Sequence, residues 1–365
     1  MYRFDNRIVA TLDAGGTNLV FGAMRGCEFI SSPITLPSQA HNLDLCLRAI
    51  VDGFTQIFNQ LEEKPVAISF AFPGPADYAS GIIGGYLPNF PSFRDGVALG
   101  PFLEEIFKVP VFINNDGDLF AFGEATGGVL PAINRRIADL GGHKEYKNLI
   151  GFTFGTGLGI GQVINGHLNL GNNSCVETFV LRNKLTPEII CEDGVSIRAV
   201  IREYEAIAGT PGTGYTPYDI FKIAEGTKEG DAEAARSSFA KFGEIAGDVF
   251  ATAVTLSDSL VVVGGGVTGA MKYIMPSLLG EMRSTIRTLS GDTIPRLPMR
   301  VFNLDDEAEF ATFVVGDSRE ISIPGSDRKA IYDPMKRTGI IVSKIGASKA
   351  ISIGAYNYAL SQLDC

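Results

Sequence analysis

The stretch Asp13-Ala14-Gly15-Gly16-Thr17-Asn18 follows directly on the apolar run Ile8-Val9-Ala10-Thr11-Leu12. A strand that ends in a carboxylate, two glycines and a hydroxyl offers a compact place for a phosphate and its cation. Glycine lets the backbone approach a bulky anion, and the amide N–H groups of such a turn can point at phosphoryl oxygens. Gly-Gly also makes ordinary hairpin turns, so the reading depends on partners elsewhere in the chain. One partner is a second apolar run, 149–154, which feeds Gly155-Thr156-Gly157-Leu158-Gly159 and a further strand near 160–164. Strand, glycine turn and strand thus occur twice, which predicts two similarly built lobes facing each other across a cleft.

With 365 residues there is room for about two domains. A composition of 45% hydrophobic and 20% charged residues suits a compact protein rather than a disordered one. The formal net charge of -10, unrelieved by any Lys/Arg-dense block, argues against a nucleic-acid binder. A bound nucleotide is still compatible with it, because local amides and a divalent cation neutralise phosphates. The opening Met-Tyr-Arg-Phe-Asp-Asn-Arg lacks a secretion signal's apolar segment and no apolar 18-mer occurs, so a cytoplasmic protein without membrane association is expected. Cys27, Cys46, Cys175, Cys191 and Cys365 are scattered and odd in number, which reads as reduced thiols.

Leu43, Leu47, Ile50, Phe54, Ile57, Phe58 and Leu61 recur at helical spacing and predict a helix over 43–61. Strands are expected at 8–12, 18–24, 28–31, 66–72, 109–113 and 260–263, and helices near 99–107, 195–207, 217–226, 231–256 and 270–287. Pro73-Gly74-Pro75 stops the 66–72 strand. Asn114-Asn115-Asp116 lies at the carboxyl end of the 109–113 strand, on the crevice side of an α/β sheet. Those residues could also cap the next helix, and the two roles can coexist. Gly264-Gly265-Gly266, after Leu260-Val261-Val262-Val263, lacks the spacing of a dinucleotide fingerprint, and no P-loop pattern occurs.

In this order the segments resemble the ROK sugar kinases, a branch of the actin, sugar-kinase and Hsp70 ATPase superfamily that includes glucokinases, fructokinases, N-acetylmannosamine kinases and sugar-responsive repressors. The family's two phosphate motifs match Asp13–Asn18 and Gly155–Gly159, its N-D-x-N-x-x-x-x-G-E block matches Asn115 to Glu124, and its adenosine-side glycines match Gly264-Gly265-Gly266. Residues 345–360 are similar to its closing helix. The resemblance implies an α/β, two-lobed actin-like ATPase (ribonuclease H-like) fold with a central cleft. It places one lobe at 1–117 plus 345–365 and the other at 118–344. It implies ATP-dependent phosphorylation of a hexose or N-acetylhexosamine, with Asp116 as the base that accepts the acceptor's proton. Asp13 would hold Mg²⁺ through water, since magnesium prefers oxygen ligands and keeps part of its hydration shell. Gly15, Gly16, Thr17, Asn18, Gly155, Thr156 and Gly157 would surround the phosphates, and Gly264, Gly265 and Gly266 would pass beneath adenine and ribose. Gly74, Asn89, Asn115, Asp116 and Glu177 are the sugar-site candidates.

Two departures stand out. The family's histidine falls at Val180, and its zinc segment is missing apart from Cys191, so no structural zinc is expected. Glu192 is one candidate to replace the lost sugar contacts, and Asp118 stands where the family usually has a second asparagine. Residues 304–344 read as an added excursion in which Arg328, Lys329, Lys336 and Arg337 either screen an anionic ligand or form a solvated face, the second being the favoured reading. A homodimer would be ordinary for such a chain. The principal rival is a non-catalytic sugar-sensing regulator on the same fold. Repressors of the family carry a winged helix before the phosphate motif, and only twelve residues precede Asp13, so no DNA-binding module is expected.

Overall fold

The computed structural model describes residues 2–365. The chain folds into two compact units: one takes in the chain up to Pro131 with Ile160–Phe179 and Lys344–Cys365, the other Ala132–Gly159 and Val180–Ser343.

The first unit opens with the meander β1 (Val9–Ala14), β2 (Asn18–Arg25), β3 (Glu28–Phe29) and β4 (Ile34–Pro37). Helix α1 (Leu43–Gln60) begins where the Asn42 side chain accepts the Leu45 N–H at 3.1 Å, and it buries Cys46, Ile50, Phe54 and Ile57 at spacings of three and four. Strand β5 (Ala67–Ala71) is buried throughout, as a strand covered on both faces must be. A small hairpin, β6 (Ala76–Asp77) with β7 (Ile82–Ile83), precedes α2 (Leu99–Phe107), β8 (Val111–Asn114) and α3 (Asp116–Thr126). The strand order is β3-β2-β1-β5-β8 with β4 on β2; β1, β5 and β8 run parallel. On one face Phe54 packs on Phe21 and Phe70 with centroids 5.1 and 5.9 Å apart. Burial of such a ring contributes roughly 2–3 kcal/mol.

Helix α4 (Val129–Asp139) leads into β9 (Leu149–Phe154) of the second unit, and β10 (Leu158–Ile164) carries the chain back to the first, where it turns through β11 (His167–Leu168). The rest of the second unit is α5 (Ile197–Ala208), α6 (Pro217–Ala224), α7 (Ala232–Ser257), β12 (Leu260–Gly264) and α8 (Met271–Met282), then β13 (Thr285–Arg287), β14 (Thr293–Pro295), β15 (Arg300–Asn303), α9 (Glu307–Val315), β16 (Arg319–Ser322), β17 (Lys329–Tyr332) and β18 (Arg337–Val342). Strands β9, β12, β18 and β15 lie side by side and parallel in that order. The chain closes with α10 (Ala347–Leu363) in the first unit, against the sheet face opposite α1.

Three expectations change. The division expected at 117/118 falls inside α3, whose Leu119 packs with Ala355 and whose Phe122 lies 6.0 Å from the Tyr358 ring of α10, so the first unit reaches Pro131. Residues 304–344 are not one excursion: α9 and the core strand β18 occupy much of the segment, and the exposed hairpin β16–β17 is what projects. Arg337 does not belong to a solvated face; it is buried at the start of β18, where its Nη1 pairs with Asp333 Oδ2 at 2.5 Å. Among the described residues no helix is long and apolar enough to cross a membrane.

Candidate active site

Parallel pairing aligns the candidate residues of the first unit. Asp13 on β1 sits opposite Ala71 on β5, and Ala71 opposite Asn114 on β8, so three strands end together. The Asp13 turn, the Pro73-Gly74 bend and Asn115-Asp116 therefore leave the sheet along one edge, where ligands bind in open α/β sheets. The first turn is closed by the Gly15 N–H on the Asn18 carbonyl at 3.0 Å, and Ser38 braces it through the Thr17 and Gly16 carbonyls. Asn89 lies against Gly16, on an exposed bend fixed by the buried Leu87 and Phe90.

Asp116 is the first residue of α3. The Asn115 side chain caps the helix by accepting the Gly117 N–H at 2.7 Å, and the same N–H reaches Asp116 Oδ1 at 2.8 Å. Capping and presentation of Asp116 thus coexist. A side chain at 117 would meet the Ile160 backbone at 2.5 Å, so glycine is what lets the start of α3 lie on β10. Asp116 is open to solvent on one side while protein surrounds the rest; desolvation, with the nearby Asp13 charge, raises its carboxyl above the ordinary value. Asp13 is likewise raised by desolvation.

Glu177 lies on a short turn, Val176–Thr178, beside Gly74, where any side chain would strike its Oε1. The Tyr78 hydroxyl stands 3.1 Å from the Phe72 carbonyl and 3.3 Å from Glu177 Oε2. Burial, aided by the Asp116 charge, pushes the Glu177 carboxyl up to about 7. Tyr78 was not among the expected residues: its partner is 99 positions away, and nothing local marks a lone tyrosine after a Pro-Gly-Pro bend.

In the second unit the Gly155-Thr156-Gly157 turn closes through the Gly155 N–H on the Gly157 carbonyl at 3.1 Å. Gly265 has φ +94 and lies against the Phe154 carbonyl, where a side chain would collide, so the 264–266 segment runs beside the 155–157 turn. Glu192 has a partner within this unit: its Oε2 accepts the Leu158 N–H at 3.2 Å. Next to Gly266 is a cavity of about 120 Å³ lined by Pro217, Tyr218, Phe221, Phe239, Val267 and Ala270. These residues escaped the sequence reading because Tyr218 and Phe221 at helical spacing look like core. Their helix is fixed by a capping box between Thr216 and Asp219.

Asp13 fits a hydrated divalent cation: it is a carboxylate at the mouth of a glycine turn, and among the described residues no hydrogen bond contributes to its shift, which comes from burial alone. Among the described residues no group of three or more His, Cys, Asp and Glu side chains is placed to hold a metal by itself. Val180, at the position of the family's histidine, is 72% exposed.

Comparison with known proteins places these features in a family. The crystal structure of a glucokinase from Parabacteroides distasonis superposes with a TM-score of 0.91 at 53% identity, covering 99% of each chain. The glucokinase of Thermotoga maritima is 26% identical over 302 residues, 74% of this chain and 89% of that one. A xylose repressor from Bacillus spizizenii is 28% identical over 160 residues, which is 40% of this chain and 37% of the repressor. The ROK family profile matches residues 9–297, and the chain belongs to the ROK family.

Proposed function

We propose that this protein transfers the γ-phosphoryl group of ATP to a hydroxyl of a hexose, with Asp116 as the general base. The observation that carries this reading is the placement of Asp116 at the carboxyl end of β8, on the same sheet edge as Asp13 and Gly74. The resemblance over nearly the whole chain to a glucokinase supports the substrate class.

The geometry supplies the steps. Asn115, Asn89 and Glu177 offer donors and acceptors for sugar hydroxyls, and a missing partner for one buried hydroxyl would cost about 1–3 kcal/mol. Asp116 Oδ1 is oriented by the Gly117 N–H, which leaves Oδ2 to take the proton of the attacking alcohol. Its raised proton affinity makes it a better base than an exposed aspartate. Asp13 would hold Mg²⁺ through water; bound there, the ion neutralises charge on the phosphates. Amides of the 15–16 turn in the first unit suit phosphoryl oxygens, and so, within the second unit, do those of the 155–157 turn. The aromatic cavity beside Gly266 suits a flat apolar ring, and the adenine would lie there. On this reading the first unit supplies the acceptor residues with Asp13 and the 15–16 turn, and the second supplies the 155–157 turn and the adenine cavity.

Coupled ADP release over a panel of hexoses and N-acetylhexosamines tests the proposal. Mg-ATP turnover stimulated by at least one hexose is expected. Sugar binding without turnover across the panel would replace the proposal by the regulator reading that the repressor relative favours.

A further inference from the structure

Behind the Asp116 edge lies a layer of polar groups that the proposed chemistry does not use. Asp118, two residues into α3, is 1% exposed, and its Oδ1 has no hydrogen-bond partner. Asn114, at the end of β8, is fully buried with neither Oδ1 nor Nδ2 paired, and Ser69 on β5 is fully buried with its Oγ unpaired. Side chains alternate along a strand. Ser69 therefore shares the sheet face of Ala67 and Ala71, and Asn114 that of Phe112, which is the face covered by α3 and α10. Ser69 and Asn114 thus sit on the sheet face that α3 covers, and Asp118 sits in the first turn of that helix, next to Leu119, which packs on Ala71 of the same face; together the three residues carry four orphan polar atoms. Buried groups in folded proteins find partners, and where the protein supplies none, ordered water does.

Among the described residues, no cation is one of the groups that act on Asp118. The titratable groups that bear on it are Glu177 from the 176–178 turn and Asp116 from its own helix, while Tyr78 from the β6 segment and Tyr358 from α10 feel its charge. Strand β10 presents only backbone at Gly161, packed on the Asp118 Cα, and the polar side chains of β5 and β8 on the sheet face that α3 covers include the neutral Ser69 and Asn114. Desolvation and the two neighbouring carboxylates raise the Asp118 carboxyl well above its ordinary range. An ionised Asp118 would stand unpaired in the interior, whereas a carboxylic acid can donate as well as accept there.

We propose that Asp118 is a positioning residue that works as a neutral acid: joined through buried water to Asn114 and Ser69, it holds the first turn of α3, and with it Asp116, without adding charge behind the base. This rests on the assignment of Asp116 as base. The neutral carboxyl explains how an aspartate can stand where the family pattern has asparagine, since a protonated Asp and an Asn both offer one donor end and one acceptor end.

Two variants and two readouts test it. At pH 7 the infrared difference spectrum of wild type minus Asp118→Asn should show the carbonyl band of a protonated carboxyl group. Only carboxylate bands would overturn the proposal, and this arm stands whether or not any sugar is turned over. The pH dependence of kcat/KM for the hexose is the second readout. Asp118→Asn should retain kcat within about threefold and leave the acid limb unmoved, because no charge is removed beside Asp116 and Glu177. A limb shifted to lower pH by half a unit or more would show that Asp118 had been ionised, and would overturn the proposal. Asp118→Ala should lower kcat about tenfold with KM little changed. Wild-type kcat in that variant would remove the positioning role, and if it does not fold, the Asn variant and the spectrum still decide.

Discussion

The regions proposed for nucleotide and acceptor are built from different materials. In the second unit the work falls to backbone: the 155–157 turn and the 264–266 segment lie side by side because Gly265 takes a left-handed conformation against the Phe154 carbonyl. In the first unit it falls to side-chain carboxyls, Asp13, Asp116, Asp118 and Glu177, all raised above their ordinary values by burial. Backbone recognition is insensitive to pH and is lost when a side chain intrudes. Carboxyl recognition tolerates isosteric change in shape but depends on where each proton resides.

Variants sharpen that contrast. The largest effect is expected from Asp116→Asn, which keeps the shape and removes the base: kcat should fall about 10²–10⁴-fold while the thermal unfolding midpoint stays within a few degrees. Retained turnover in the coupled assay would take Asp116 out of the base role. Gly265→Val attacks the backbone side, with a side chain forced at φ +94 onto Phe154. It should cost at least about 1–3 kcal/mol of stability in urea and raise the KM for ATP more than that for hexose. An unchanged ATP KM would detach the 264–266 segment from the nucleotide.

Glu177→Gln probes the proton. The folded carboxyl titrates at about 7 against an ordinary 4.5, so the wild type is relatively stable below the lower value and loses that stability as the pH rises through 7. The Gln variant should therefore exceed wild type by about 1–3 kcal/mol near pH 8 and match it near pH 4. Hexose KM should fall between about pH 6 and pH 8 in the wild type as the stronger acceptor forms, and be flat in the variant. A pH-independent stability difference would mean that Glu177 titrates normally. Smallest is Tyr218→Ala, which removes one wall of the cavity beside Gly266 and should raise the ATP KM several-fold with the hexose KM unchanged.

Much of this was readable from the sequence where the signal is local. The Asp13 turn, the Asn115-Asp116 step and the glycines after β12 each follow an apolar run, so strand, turn and exposed polar group arrive in one short window. Helix α4 was missed because Gly127, Gly128 and Pro131 look like breakers, although proline is tolerated in a first helical turn. Strand β18 was missed because it opens on Arg337 after a charged stretch, and its ion pair with Asp333 appears only once both are buried. The Glu177–Tyr78 contact and the orphaned atoms of Asp118, Asn114 and Ser69 depend on residues that only the fold brings together. The Glu192 contact with the Leu158 N–H is of the same kind, since it joins residues 34 positions apart.

The central claim is that phosphoryl transfer goes to a sugar rather than to water. Phosphorus NMR of the wild-type protein with Mg-ATP and, one at a time, each hexose of the panel tests it most directly. With at least one of them a hexose monophosphate resonance should grow in equal measure with ADP; orthophosphate growing with ADP at a rate indifferent to every sugar, and no sugar ester, would contradict the claim.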